Sequence, residues 1–364
     1  MHVGLILEHS SPRRGGAERY AVALAQRLRV HGHKLSAMSR TGPAQQPVPR
    51  SISRSARPGY YQRTFLPKLR DAGAEVVLTF QPVPECDFYQ PHAGIRADAV
   101  PPRLETVSWR RRFVHRWEPV RRWRYARLRR WEARAVRPPT RVLALSPRVV
   151  EGLRRHHPQA APAVLLRSGV DLERFAPART GEREEVREAL GIASGPLLLF
   201  VAHDFALKGL RTAIGALPHL PGMRLVVVGD GRGRRYRRLA KELRVDDRVR
   251  WLGYVEDLAR LYRSADLLVH PTHYDTASLV VLEALASGTP PITTVRDGNA
   301  DLAQAGGGAA LSRPGDPALL CEAVLTLLAT SRSEAADRAR AGAEEYPLAK
   351  MLDRVVETLT GSGG

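Results

Sequence analysis

Two acids eight residues apart, Asp275 and Glu283, stand in the stretch ADLLVHPTHYDTASLVVLEALASGTPP, residues 265–291. The apolar run LLVH reads as a buried strand, and a helix is expected near 278–287. Asp275 then falls just before the helix and Glu283 about a turn and a half inside it. Glu283 is surrounded by Leu279, Val280, Val281, Leu282 and Leu285. A carboxylate in so apolar a stretch needs a partner. Other groups follow other expected strands: a glycine pair at Gly15-Gly16, His92 in CDFYQPHAG, and HDFALKG with Lys208-Gly209. Carboxylates suit hydroxyls, whereas a cation, glycine amides and a helix start suit phosphate. Together they fit a ligand that offers both.

Metal and redox chemistry find less support. No Asp-x-Asp follows a strand, and His156-His157 precedes Pro158 with no acid or Cys at ligand spacing. No metal and no cofactor is expected. Gly229-Asp230-Gly231-Arg232-Gly233 fails the dinucleotide spacing, because Arg234 occupies the last glycine position.

The 265–291 stretch resembles the signature of retaining glycosyltransferases of family 4, Glu-x7-Glu followed by a small-Gly-x-Pro turn. Asp275 departs from the usual first Glu. The family has the GT-B fold: α/β, two doubly wound Rossmann-like domains facing across a cleft. The resemblance implies a hexosyltransferase that moves a sugar from a UDP-sugar with retained configuration and no metal. It implies that Glu283 holds the ribose hydroxyls. Asp275, with the backbone at Ala277, Ser278 and Leu279, would hold the donor sugar. Lys208-Gly209 matches a cation-glycine pair that grips the diphosphate, with Lys208 and Asp275 catalytic. His203 stands where an Arg is usual, a departure that resembles the lipopolysaccharide-core glucosyltransferase type. Gly15 and Gly16 match a glycine pair near the distal phosphate, with Glu18 and Arg19 toward the acceptor. His92 resembles a catalytic-loop residue beside the transferred sugar, and Tyr254 and Val255 stand where the nucleobase is met.

These residues need a scaffold. At 364 residues two domains are the expectation. Strands and helices alternate in both halves, which implies mostly parallel sheets covered on both faces. The expected boundaries are 1–166 for an acceptor-side domain, 167–345 for a nucleotide-sugar domain, and 346–364 for a helix returning to the first domain, with a tail. GVDLERF, in the linker 167–180, resembles the phrase joining the two domains in this family. The start, MHVGLIL, reads as a first strand rather than a signal peptide. No apolar run approaches the ~20 residues that span a bilayer. Cys86 and Cys321 are the only cysteines, which suits a reducing, cytoplasmic compartment.

Formal net charge is +20, and only five of the 57 cations are Lys. A GC-rich genome produces that skew by itself, so abundant Arg says little alone. Its placement says more. Residues 103–154 hold 16 Arg and 4 Glu, together with four of the five Trp. The segment 103–134, with Trp109, Arg110, Arg111, Arg112, Trp117 and Trp123, suits a membrane interface, where Trp sits at headgroup level and Arg meets anionic lipid. A peripheral position on the inner face of the cell membrane is the expectation. The partners would be the nucleotide-sugar donor, a lipid-linked or polysaccharide acceptor such as lipopolysaccharide core, and the anionic surface. Nucleic acid would also favour this charge, yet no helix-turn-helix, zinc or RNA-binding motif is present. Two other classes stay open on the residues alone: a GT-B sugar-nucleotide epimerase, and a non-enzymatic basic binding protein.

Overall fold

A computed structural model describes residues 1–11, 15–46, 48–49, 51–106, 119–192 and 194–361. The chain divides into two compact units, Met1–Ser168 with Ala349–Gly364, and Gly169–Leu348.

The first unit holds strands β1 (His2–His9), β2 (Lys34–Thr41), β3 (Val76–Thr79), β4 (Phe88–Tyr89), β5 (Arg141–Ala144) and β6 (Val164–Leu165). They form one sheet in the order β2-β1-β3-β4-β5-β6, with every pairing parallel. The helix Gly16–Val30 follows β1 and buries Tyr20, Ala21, Leu24 and Leu28 along one stripe. The C-terminal helix Leu348–Thr360 belongs to this unit, where Arg27 clamps Asp353 with two 2.5 Å hydrogen bonds.

The second unit repeats the plan with β7 (Leu197–Val201), β8 (Arg224–Val228), β9 (Val249–Gly253), β10 (Leu267–Val269), β11 (Pro291–Thr294) and β12 (Ala309–Leu311). Their order is β12-β11-β10-β7-β8-β9, again all parallel. β7 is buried along its whole length and shows how the sheet is filled. Leu197, Leu199 and Val201 point to one side and pack with Val281, Leu282 and Leu285. Leu198 and Phe200 point to the other and pack with Leu210 and Ile214. Alternation with period two on a strand covered by helices on both faces gives this near-continuous apolar run.

Strand order also places the functional ends. From β7 the chain moves outward to β8 and β9, then returns to β10 on the opposite side of β7. The loops leaving β7 and β10 therefore start side by side at this change of direction, the usual ligand position in such sheets.

Several elements lie outside the sequence reading. Helices Arg96–Glu105, Glu182–Ala189 and Ala300–Ala305 were not foreseen, nor were β4 and β6. Two-residue strands are too short to show any alternation. Residues 41–60, rich in Pro, Ser and Arg, read as a loop from sequence, yet the helix Arg57–Asp71 begins within them. In the basic segment the helix Pro119–Ala135 is described, whereas Trp109, Arg110, Arg111, Arg112 and Trp117 lie outside the described residues. Its aromatics point two ways. Trp131 presses on Gly59, where an added Cβ would come within 2.5 Å of the indole. Trp123 stands 55% exposed, with the Arg127 guanidinium 5.1 Å from its ring centre.

Candidate functional site

The loop after β7 carries His203 and Lys208, and the loop after β10 carries Asp275. Folding joins these loops directly. The His273 amide donates to the Leu207 carbonyl at 2.8 Å. Gly209 is required at the crossing. Its φ is +79°, and a Cβ there would collide with the Pro271 carbonyl oxygen. Gly209→Ala is therefore expected to destabilise the second unit by well over 1 kcal/mol, measured as a lowered unfolding midpoint. An unchanged midpoint would mean that the two loops are not locked together.

Across that crossing Lys208 Nζ donates to Asp275 Oδ2 and lies 3.4 Å from the Tyr274 carbonyl. His270 Nε2 approaches the same Oδ2 at 3.3 Å. Both Lys208 and Asp275 keep under a fifth of their side chains exposed. Burial alone would push the Asp275 carboxyl up; the Lys208 ammonium and His270 outweigh it and hold the group well below the usual carboxylate range. Asp275 is thus an anion with one oxygen committed, and Oδ1 makes no hydrogen bond among the described residues. His270 is 1% exposed and its Nδ1 has no hydrogen-bond partner. A buried Nδ1–H without an acceptor is costly, so the proton belongs on Nε2, facing Asp275.

The segment after β11 fixes this geometry. The Asp275 amide donates to the Arg296 carbonyl, and the Gly298 amide to the Asp275 carbonyl. Asp297 accepts from the Ser278 amide and hydroxyl, from Thr293 Oγ1 at 2.7 Å and from the Asn299 amide at 3.0 Å. Ser278 is the residue just before the helix Leu279–Ala286, and its hydroxyl goes to Asp297 rather than to the helix amides, so Asp297 sets the start of that helix. Ala277 and Leu279 flank Ser278, whose own amide is already engaged by Asp297. His270, Asp275 and Asp297 are close enough to share a metal ion. In this structure Asp297 accepts from four donors and Asp275 Oδ2 from Lys208, while Asp275 Oδ1 stays open among the described residues.

Glu283 is 5% exposed and accepts from the Tyr262 hydroxyl at 2.8 Å. That hydroxyl is the partner its surroundings called for. His203 Nδ1 bonds Asp230 Oδ1 at 2.9 Å, and this hydrogen bond holds the Asp230 carboxyl below its ordinary range. Tyr254, just past β9, is 52% exposed, while Val255 packs partly against the core. His203, Lys208, Tyr254 and Asp275 therefore all project from the carboxyl ends of β7, β9 and β10.

In the first unit Gly15 precedes the helix that begins at Gly16, and Glu18 and Arg19 stand in its first turn. His92 follows β4 rather than β3. Its ring lies tilted 4.2 Å from the Phe80 ring centre and 5.0 Å from that of Tyr20, and Nε2 lies 3.1 Å from Gln90 Oε1. Gln90 in turn donates to the Tyr20 hydroxyl at 3.1 Å. Enclosure pushes the His92 pKa down to about 3 and the Tyr20 hydroxyl up to about 12. His92 is then a neutral hydrogen-bonding group near neutral pH, not a general acid. Its folded pKa lies below the unfolded value near 6.5, so the folded state loses stability as pH falls below about 6.5. His92→Gln, which cannot take a proton, is expected to flatten the drop in unfolding free energy between pH 7 and 5. An identical pH slope in the variant would show that His92 is not the titrating group.

Sequence reasoning missed His270, Asp297 and Tyr262. His270 ends a strand like any core residue, and nothing at spacing level ties Asp297 to Ser278 or Tyr262 to Glu283.

Comparisons with known proteins bear on the family and the fold. Residues 14–174 match the family model Glycosyltransferase Family 4, and residues 182–345 match Glycosyl transferases group 1. Lipopolysaccharide glucosyltransferase WaaG of Escherichia coli K12 is 27% identical over 367 residues, covering 95% of this chain and 96% of that protein. The crystal structure of WaaG, described as involved in lipopolysaccharide biosynthesis, superposes with a TM-score of 0.83 at 26% identity over the whole of both chains. HepE of Anabaena in complex with UDP-glucose superposes with a TM-score of 0.73 at 17% identity, over 99% of this chain and all of that one, a likeness of fold.

Proposed function

The chain belongs to the GT-B glycosyltransferases described by those two family models, and from that premise we propose that it transfers a hexose from a UDP-sugar to a lipid-linked glycan such as a lipopolysaccharide core, with retained anomeric configuration. The Lys208–Asp275–His270 group at the switch point of the second sheet carries this reading. WaaG supports it as a relative in sequence and fold, and the UDP-glucose complex of HepE by its likeness of fold.

An ammonium has three donors. Lys208 directs two at Asp275 and Tyr274, and the third serves the leaving diphosphate. Asp275 Oδ1 accepts a hydroxyl of the donor sugar, and His270 keeps Oδ2 in place while it does so. Glu283 takes the ribose hydroxyls, the helix start at Leu279 supports the sugar, and Tyr254 with Val255 meets the uracil. His203, tied to Asp230, stands at the phosphate side. As the bond from the anomeric carbon to UDP breaks, the acceptor hydroxyl enters on the same face. The new glycosidic bond forms there, and a phosphate oxygen takes the acceptor's proton. In the first unit Gly15 and Gly16 offer amides at a helix start, with His92 as a neutral sugar contact and Glu18 and Arg19 toward the acceptor. The mechanism uses no divalent ion, because the Lys208 ammonium already supplies a cation beside the leaving diphosphate.

The enzyme is expected to be stabilised by a UDP-sugar and to release UDP slowly alone and faster with acceptor, with activity unchanged by EDTA. Proton NMR of the product reads the anomeric configuration. Loss of activity in EDTA would overturn the metal-free mechanism, and an inverted product would overturn retention. The basic helix Pro119–Ala135 with exposed Trp123 suits the inner face of the membrane, where such an acceptor resides. No helix among the described residues is long and apolar enough to cross a membrane.

A further inference from the structure

The second unit carries its own charge pattern. It holds 23 Lys and Arg against 24 Asp and Glu, so the +20 of the chain arises elsewhere. Within this balanced unit, residues 232–244 contain seven cations and a single acid, Glu242. Genome-wide preference for Arg would spread cations through the unit and does not explain this concentration.

The helix Arg234–Glu242 organises the cluster. Tyr236 and Ala240 are buried beneath it. Arg234, Arg237, Arg238 and Lys241 recur at i, i+3, i+4 and i+7, which places them on one outward stripe. All four are exposed. Only Arg238 has a carboxylate partner among the described residues, Glu242 at 2.7 Å, and that pair is itself exposed. The stripe is an amphipathic pattern with its apolar side already used by the core and a net positive face left outward.

We propose that this face docks the second unit onto an anionic lipid surface, through charge alone and without insertion. A helix of this length extends about 13 Å. Four cations along it outnumber what one diphosphate accepts and suit a plane of separate phosphates. Single-stranded nucleic acid fits less well, because it wants open aromatic faces for its bases. Here Tyr236 is buried, and the Trp251 ring is covered by Arg237 at 4.6 Å. Each cation near an anionic surface adds modestly to binding, and the effect decays within a Debye length of about 8 Å in physiological salt. Attachment through this face should therefore be released by salt. The choice of lipid rests partly on the proposed lipid-linked acceptor, which would hold the enzyme at such a surface.

The test is co-sedimentation of the full chain with vesicles of phosphatidylcholine containing phosphatidylglycerol, at low salt. The variant Arg234→Gln, Arg238→Gln, Lys241→Gln removes three stripe charges and spares Arg237, which covers Trp251. It should partition at least tenfold more weakly than wild type, with its unfolding midpoint and its stabilisation by UDP-sugar unchanged. Wild-type partitioning in the variant overturns the proposal. So does a larger loss of binding to single-stranded DNA than to vesicles at matched salt, which would assign the face to nucleic acid. Wild-type protein that no UDP-sugar stabilises would sink the transferase reading while leaving the vesicle comparison intact.

Discussion

Lys208→Ala is expected to lower kcat by a factor on the order of 10²–10³, the usual effect of removing one preorganised group from a developing negative charge. A second effect comes from the apo geometry. Lys208 is the ammonium that holds Asp275 ionised. Without it, a largely buried carboxylate is left with His270 alone, and breaking such a pair costs roughly 3 kcal/mol, at the low end because both groups keep some exposure. The two effects can be separated. Adding Asp275→Asn to Lys208→Ala removes the stranded charge and should restore much of the unfolding midpoint, but not turnover. Full turnover in the single variant would remove Lys208 from the diphosphate. Recovery of turnover with stability in the double variant would make Lys208 a structural cation only. The pair also sets an acid limit. Asp275 titrates below its unfolded value near 3.9, so its stabilising contribution is present above about pH 4 and is lost as the pH falls below that value.

Glu283→Gln is expected to weaken UDP binding by about 1.5–3 kcal/mol, the value of a hydrogen bond to a charged group, or roughly 10- to 150-fold in Kd. The glutamine keeps an oxygen for the Tyr262 hydroxyl, so the fold should be nearly undisturbed. Titration calorimetry with UDP reads the affinity, and thermal unfolding reads the fold. Unchanged affinity with a lowered midpoint would assign Glu283 to packing with Tyr262 rather than to ribose. Tyr262→Phe is the companion variant. It keeps the carboxylate and removes only the Tyr262 hydrogen bond, and should weaken UDP binding by less than Glu283→Gln.

Much of the architecture is legible in the chain alone, for a particular reason. Buried strands such as Leu197–Val201, and Leu225–Val228 within RLVVV, are continuous apolar runs, and the helices between them show a clear stripe, so both parallel sheets can be anticipated. Burial of Glu283 can be read from its neighbours alone. Elements without such a pattern escape: the two-residue strand at Phe88–Tyr89, and with it the placement of His92 after β4. The helix Arg234–Glu242 is legible as a helix, but its charge escapes for a different reason. Against a chain of +20 it looks ordinary, and only the charge balance of its own unit makes it stand out.

The sequence by itself determined which residue types exist to meet a nucleotide sugar, because a motif of acids, a lone lysine and glycine pairs is a local property of the chain. Only the tertiary structure decided how they are coupled. Strand order brings the loops after β7 and β10 together, so Lys208, His270 and Asp275, up to 67 residues apart, share one carboxylate oxygen. The segment 296–299 then fixes that carboxylate and the helix start beside it. Such pairings depend on the sheet topology that closes these distances, and no spacing along the chain encodes them.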